Sequence, residues 1–365
     1  MSDRLSHNLE ADLPPQLIGT VLAVQANFYL VKFLQPGLPQ AQLLCTRRSR
    51  LKKIGQQVMV GDRVRVEEPD WQGERGAIAE VFPRQTELDR PPIANVDQIL
   101  LVFALAEPTL DPMQLSRFLV KAESTEIALA LCLNKSDLVS TQEQQDWQQR
   151  LNTWGYEPTL VSLRQARSWP ELQTLLADKI TVVSGPSGVG KSSLINQLIP
   201  QKALRTGAVS GKLGRGRHTT RHVELFELPK GGLLADTPGF NQPDLSCAPS
   251  QLAQFFPEAR QRLAEASCQF SNCLHRDEPN CAVRGDWERY PHYLTFLEEV
   301  VAHQQSLDRR SDEEASTKVM TKQAGQLQTE PRLSAKRYRR PSRKTEKQAL
   351  RSLYQDADEL MQEPD

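Results

Sequence analysis

The sequence predicts an α/β fold in three parts: an N-terminal β-barrel of OB type, a parallel-sheet domain, and a C-terminal helical segment around a Cys/His cluster. Three observations predict it. Residues 15–85 hold five short apolar runs separated by turn signals, and residues 86–245 alternate strand-like with helix-like segments. Cys268, Cys273, His275 and Cys281 fall within fourteen residues. A chain of 365 residues has room for two or three domains with cores of their own.

The barrel comes first, after a flexible segment expected over residues 1–14. Its runs are Leu17–Gln25, Phe28–Phe33, Ala41–Thr46, Val58–Glu67 and Gly76–Phe82, none with helical periodicity. Five short strands in about 70 residues suit a small closed barrel. Between two of them, Arg47–Lys53 carries five positive charges in seven residues and no acid. A solvated loop is one reading. Contact with a phosphate backbone is the expectation, because OB barrels grip oligonucleotides through their loops.

In the second part, Val96–Ala104 is a near-continuous apolar strand and Asp111–Glu123 a helix. Ile127–Leu133 is the next strand, Thr141–Trp154 a polar amphipathic helix, and Tyr156–Ser162 a further strand. The alternation argues a parallel sheet with ligand at the C-terminal strand ends. Asp178–Ser184 then reads as a buried strand, and Ser193–Ile199 opens a helix with apolar residues at helical spacing. Between them stands Gly185-Pro186-Ser187-Gly188-Val189-Gly190-Lys191-Ser192-Ser193, which fits the G-x-x-x-x-G-K-[ST] phosphate loop. Strand, loop and helix N-terminus in that order let backbone N–H groups cradle phosphate oxygens. Lys191 is expected on the β- and γ-phosphates, and Ser192 Oγ on magnesium.

Two further motifs define the ligand. Asp236-Thr237-Pro238-Gly239 follows a second apolar run and fits D-x-x-G, with Asp236 toward magnesium and the Gly239 N–H toward the γ-phosphate. Asn134-Lys135-Ser136-Asp137 follows the strand Ile127–Leu133 and fits N-K-x-D. A carboxylate at Asp137 would accept two hydrogen bonds from guanine N1–H and the N2 amine, which adenine does not offer. Asn134 would tie this segment to the phosphate loop, and the Lys135 stem would cover the base. Ser162 stands where a backbone N–H would meet guanine O6, although Leu163 follows in place of a small residue. The usual GTPase order is phosphate loop, D-x-x-G, N-K-x-D. Here the last comes first, so the domain is circularly permuted.

Residues 214–221 (GRGRHTTR) lie between the phosphate loop and D-x-x-G, where a mobile switch belongs. Either Thr219 or Thr220 would reach magnesium when GTP is bound; the sequence leaves the choice open. The residue after D-x-x-G is Phe240, which cannot orient water as a glutamine would. His218 is the candidate substitute, with an exposed histidine in a basic loop as the alternative.

Cys268-x4-Cys273-x-His275-x5-Cys281 supplies three thiolates and one imidazole, a closed tetrahedral zinc set of structural type. Arg276, Arg284 and Arg289 are expected to line an RNA-facing surface, and His222 and His292 to be ordinary surface residues. Beyond residue 305 the chain is charged and Gln-rich, and disorder is expected. Residues 332–351 hold nine basic residues against Glu346 alone, a solvated tail or an RNA contact.

These motifs resemble the circularly permuted, ribosome-associated GTPases, specifically the ribosome small subunit-dependent GTPase A family. The resemblance covers residues 15–300 and rests on the barrel, the permuted motifs, Gly216-Arg217-His218-Thr219-Thr220 and the Cys/His cluster. It implies an OB-fold, RNA-binding domain (15–85), a GTPase domain (86–245), a zinc domain (246–304) ligated by Cys268, Cys273, His275 and Cys281, and a water-directing role for His218. It also implies GTP hydrolysis on the small subunit, stimulated by that subunit, during late maturation. An RNA-binding protein with nucleotide as a structural ligand is the alternative that Phe240 keeps open; a GTPase acting on tRNA or mRNA is a third.

Lys and Arg balance Asp and Glu at 45 each, so net charge identifies no partner. No apolar run approaches ~20 residues, which argues against a membrane span. The N-terminus contains acids and lacks an apolar core, so no targeting peptide is expected. Cys45, Cys132 and Cys247 are scattered and read as buried or idle thiols. A cytoplasmic monomer binding GTP or GDP, with one zinc per chain and magnesium alongside the nucleotide, is expected.

Overall fold

The structure, a computed structural model, describes residues 17–33, 35–89, 91–165, 169–199, 223–236, 244–314, 317–321 and 327–331, with side chains described as far as residue 309 except at Asp236. Five strands, β1 (Leu17–Gln25), β2 (Phe28–Phe33), β3 (Gln42–Arg47), β4 (Arg63–Asp70) and β5 (Arg75–Val81), close into a barrel in the order β1-β2-β3-β5-β4. β3 pairs with β5 in parallel and every other pair is antiparallel. Alternate residues point inward, so Val21, Val31, Leu43, Cys45, Val64, Val66 and Ile78 fill the interior. Burial pushes the Cys45 thiol up to about 12, and likewise that of Cys132 in the sheet described next.

Two expectations shift here. The fourth strand starts at Arg63, not Val58, because Gly61 turns the chain at φ +88°, where an added Cβ would meet the Ala94 carbonyl at 2.0 Å. The basic segment is not a loop but a short helix, α1 (Ser49–Lys53), whose Leu51 is buried in the barrel core. Within it Arg47 donates to the Gln56 carbonyl (2.7 Å) and Arg48 pairs with Glu67 and Glu68.

A hairpin, β6 (Glu87–Asp89) and β7 (Pro92–Ala94), leads into the second domain. Its strands are β8 (Gln98–Ala104), β9 (Ala128–Asn134), β10 (Pro158–Leu160), β11 (Ile180–Ser184), β12 (Leu225–Glu227) and β13 (Leu233–Asp236). They form one sheet in the order β10-β9-β8-β11-β13-β12, parallel apart from β12. All seven residues of β8 are buried, as befits a central strand covered on both faces. Ile99, Leu101 and Phe103 meet α2 (Pro112–Glu123) and α3 (Thr141–Thr153) through Leu115, Phe118 and Leu151. Leu100, Val102 and Ala104 meet α4 (Trp169–Leu176) and α5 (Lys191–Leu198) through Leu172, Leu176 and Leu194. Asp111 caps α2 by accepting from the Met113 N–H, and Ser140 caps α3 at Glu143.

The third part holds a 3-10 helix (Pro249–Phe255), α6 (Pro257–Glu265) and α7 (Tyr290–Glu314) around Phe256, Tyr293, Phe296 and Leu297. Two expected surface residues are inside. Arg289 is 0% exposed, bonded to the Glu258 carboxylate (Nε–Oε1 2.8 Å) and set over the rings of Trp154, Tyr156 and Phe256, so it faces no RNA. His292 is half-buried, edge-on to Trp154 at 6.3 Å. Arg276 and Arg284 remain exposed. Helix α7 continues past residue 305, where disorder was expected, and β14 (Thr317–Thr321) pairs antiparallel with β15 (Leu327–Pro331). No described helix is long and apolar enough to cross a membrane. His222 and residues 1–14 and 332–365 lie outside the described residues.

Candidate functional site

The phosphate loop leaves β11 at Ser184 and enters α5 at Lys191, at the C-terminal edge of the sheet. Gly185, Gly188 and Gly190 all take positive φ. At two of them space is also closed: a Cβ on Gly185 would sit 2.1 Å from the Val102 carbonyl oxygen, and one on Gly190 2.5 Å from Asn134 Nδ2. Pro186 and Val189 are buried, while Ser187, Gly188, Ser192 and Ser193 face outward. Lys191 Nζ donates to the carbonyls of Gly185 (2.7 Å) and Pro186 (2.6 Å), so its ammonium lies over the loop's mouth.

The N-K-x-D segment meets this loop from the neighbouring side of β8. Asn134 ends β9 and donates from Nδ2 to the Val189 carbonyl at 2.8 Å. Lys135 turns the chain in the left-handed region (φ 58°), and its Nζ donates to the Gly188 carbonyl (3.0 Å) and to that of Glu107. The Ser136 N–H donates to Val161 (3.1 Å), and its carbonyl accepts from Gln144 Nε2 (2.7 Å) at the start of α3. Asp137 is 13% exposed. Its Oδ1 accepts from Ser162 Oγ at 2.6 Å, and that oxygen accepts in turn from the Arg164 N–H at 3.1 Å. Ser162 thus contributes its hydroxyl to hold the carboxylate, a role beyond the backbone N–H contact expected of it, and one with no local pattern because Asp137 lies twenty-five residues away. Arg164 Nη1 lies 3.9 Å from the other carboxylate oxygen.

Asp236 lies at the end of β13, paired with Val183 of β11 just before the phosphate loop. Gly239, Phe240, His218, Thr219, Thr220 and the 214–221 segment lie outside the described residues. The described groups fit an anion with an attached base: a glycine cradle that side chains would fill, a lysine over it, and a carboxylate held beside it.

Replacing Lys191 by Ala removes the ammonium that bonds the Gly185 and Pro186 carbonyls at the loop's mouth. Hydrogen bonds to a charged group contribute about 1.5–3 kcal/mol, so nucleotide affinity should fall roughly tenfold to a hundredfold. The thermal midpoint should barely move, since the ammonium supports no core contact. Undiminished affinity in calorimetry would remove the loop from the site.

A second site lies in the third part. The ligand atoms of Cys268, Cys273, His275 and Cys281 all fall within 4.8 Å of one another. His275 Nδ1 is 3.4 Å from Cys268 Sγ and 3.3 Å from Cys281 Sγ. The N–H groups of Ala282 and Arg284 point at Cys268 and Cys281 sulfurs, both at 3.4 Å. Burial lowers the His275 pKa and favours the neutral imidazole that a metal needs. The surrounding loop is clamped: Tyr290 Oη donates to the His275 carbonyl (2.9 Å) and Tyr293 Oη to that of Leu274 (2.7 Å). Desolvation pushes the Glu278 carboxyl up, yet hydrogen bonds from the N–H groups of Leu274, Glu278 itself, Arg276 and Asp277 outweigh it and hold it at about 2. The group could hold a metal ion.

Residues 81–246 match the family model described as RsgA GTPase. A "Small ribosomal subunit biogenesis GTPase RsgA" of Trichormus variabilis is 62% identical over 361 residues, covering 93% of this chain and 98% of that protein. A protein of the same name from Synechocystis is 53% identical, covering 93% and 96%. Among solved structures, YloQ, titled a circularly permuted GTPase, aligns with a TM-score of 0.65 at 32% identity over 82% of this chain and 99% of that one. YjeQ from Thermotoga maritima aligns with a TM-score of 0.65 at 29% identity, covering 78% and 99%.

Proposed function

We propose, from the premise that this chain belongs to the RsgA GTPase family, that it binds and hydrolyses GTP in the biogenesis of the small ribosomal subunit. The observation that carries the reading is the 2.8 Å hydrogen bond from Asn134 to Val189. It joins a guanine-reading segment to a phosphate loop that follows it in sequence, so the permuted motifs make one nucleotide site. The relatives are named as GTPases, which favours turnover over a nucleotide that is only a structural ligand.

The finer reading follows from residue chemistry. Asp137 reads guanine, Asn134, Lys135 and Ser136 frame it, and residues 185–193 hold the phosphates with Lys191 central. Magnesium, when bound, supplies charge neutralisation between the phosphates; Ser192, Asp236 and one of Thr219 and Thr220 would hold it. Gly239 meets the γ-phosphate and His218 orients the attacking water. Three thiolates with an imidazole suit zinc in a structural role. The barrel, through Arg50, Lys52 and Lys53 on α1, meets rRNA of the small subunit, and the subunit stimulates turnover. The chain works as a cytoplasmic monomer.

Turnover measured with and without purified small subunits tests this. Many-fold stimulation is expected; equal rates in both arms would remove the subunit from the reaction. In the same assay His218→Ala should lower turnover ~10²–10⁴-fold, the range for a general base or water-orienting group, with GTP affinity nearly unchanged. A parallel loss of affinity would make His218 a binding residue instead.

A further inference from the structure

We infer that Glu227 is a positioning residue through which the barrel sets the alignment of the nucleotide domain. The inference rests on the reading that the small subunit stimulates turnover. The edge strand β12 and the residue before it, Glu224, are attached to the barrel at two points. Ala23 of β1 and Glu224 form an antiparallel bridge, so the barrel wall runs on into the edge of the nucleotide sheet. Farther along, the Glu227 carboxylate accepts from Lys32 Nζ on β2 (2.6 Å) and from Gln42 Nε2 on β3 (2.7 Å). Leu22 and Leu30 of the barrel share an apolar cluster with Leu225 and Ala235.

The path onward is short. β12 pairs with β13, Glu227 opposite Leu233 and Leu225 opposite Ala235, and the next residue is Asp236. Asp236 in turn lies beside Val183 of β11, two residues before Gly185. A change in barrel angle therefore reaches the D-x-x-G strand through one ladder of main-chain hydrogen bonds.

Apolar burial is non-directional and holds the two domains together over a range of angles. The carboxylate is directional: it keeps both bonds only when two barrel strands stand in one relation to β12. Lys32 and Glu227 side chains are 21% and 41% exposed, so the pair adds little to folding stability. Its effect is expected on coupling between domains, and variants at this pair should fold.

The test uses the full chain with purified small subunits and compares the parent with Glu227→Ala, Lys32→Ala and the exchange Lys32→Glu with Glu227→Lys. Four readouts are taken: intrinsic turnover, stimulated turnover, co-sedimentation with subunits, and thermal midpoint. Each single variant should lose about fivefold in stimulated turnover, near the most that an exposed ion pair supplies. Intrinsic turnover, co-sedimentation and midpoint should match the parent, and the exchange should restore stimulation. A stimulated parent whose variants are stimulated equally overturns this inference alone. So does an equal loss of intrinsic turnover, a loss of co-sedimentation, or an exchange that fails to restore. A parent without stimulation overturns the subunit reading and this inference with it.

Discussion

Asp137→Asn is expected to turn a guanine-selective protein into one that prefers xanthine nucleotides. In the parent, both carboxylate oxygens serve: Oδ1 accepts from Ser162 Oγ at 2.6 Å and has a second lone pair, and among the described residues Arg164 lies 3.9 Å from Oδ2. Guanine would bring N1–H and an amine donor to these acceptors. The Ser162 hydroxyl donates to Asp137 Oδ1 and accepts from the Arg164 N–H. In the variant the hydroxyl proton needs an acceptor, which fixes the asparagine with Oδ1 toward Ser162 and the amide nitrogen where Oδ2 stood. An N–H donor there repels the guanine amine and matches the xanthine C2 carbonyl. Two bonds to a charged acceptor contribute about 1.5–3 kcal/mol each, so GTP affinity should fall about 10²–10⁴-fold while XTP binding appears. Competition binding with GTP and XTP decides it. Retained GTP selectivity would show that Asp137 does not read the base. Removing the hydroxyl as well, with Ser162→Ala, should blunt the switch because the amide is then free to flip.

How far the site was legible depended on whether its partners lie close in sequence. The phosphate loop, Asn134–Asp137 and Cys268–Cys281 are local patterns, and the structure brings each set together. The permuted order was also legible, since β9 precedes β11 along the chain while both reach the same sheet edge. Long-range partners were not. Arg289 looks like a surface cation until Glu258, thirty-one residues earlier, and three aromatic rings enclose it. Glu227 looks like any exposed acid, because Lys32 and Gln42 lie 195 and 185 residues away. The basic run Arg47–Lys53 hid a helix because its single apolar residue, Leu51, gives no periodicity to read. Strand limits moved where a turn residue such as Gly61 overrode a run of apolar residues.

Removal of metal is expected to have the largest effect of all, confined to the third part of the chain. Structural zinc in finger peptides contributes ~10–16 kcal/mol, more than the whole stability of many domains. Here the four ligand atoms fall within 4.8 Å of one another, close enough for a single cation to be held by all of them. Without it, burial and the neighbouring sulfurs push the Cys273 thiol up to about 12. The loop's other ties are few: Tyr290 and Tyr293 hold the carbonyls of Leu274, His275 and Arg276, and Glu278 caps the N–H groups of its own turn. Those ties should give way in order, so that hydrogen exchange rises first in residues 268–281 and then along the start of α7. It should stop at Phe256, Phe296 and Leu297, whose packing needs no metal. The nucleotide site should be spared, because the bonds at Asn134, Asp137 and Lys191 all lie within the sheet domain. Protein purified without chelator should carry about one zinc per chain. After chelation, GTP affinity should stay within about twofold while exchange rises across 268–281 and the start of α7. Finding no zinc, or finding exchange unchanged when it is stripped, would reduce the cluster to three idle thiols and a histidine. A collapse of GTP binding on chelation would instead show that the third part supports the base-reading side through α3, where Trp154 meets Arg289.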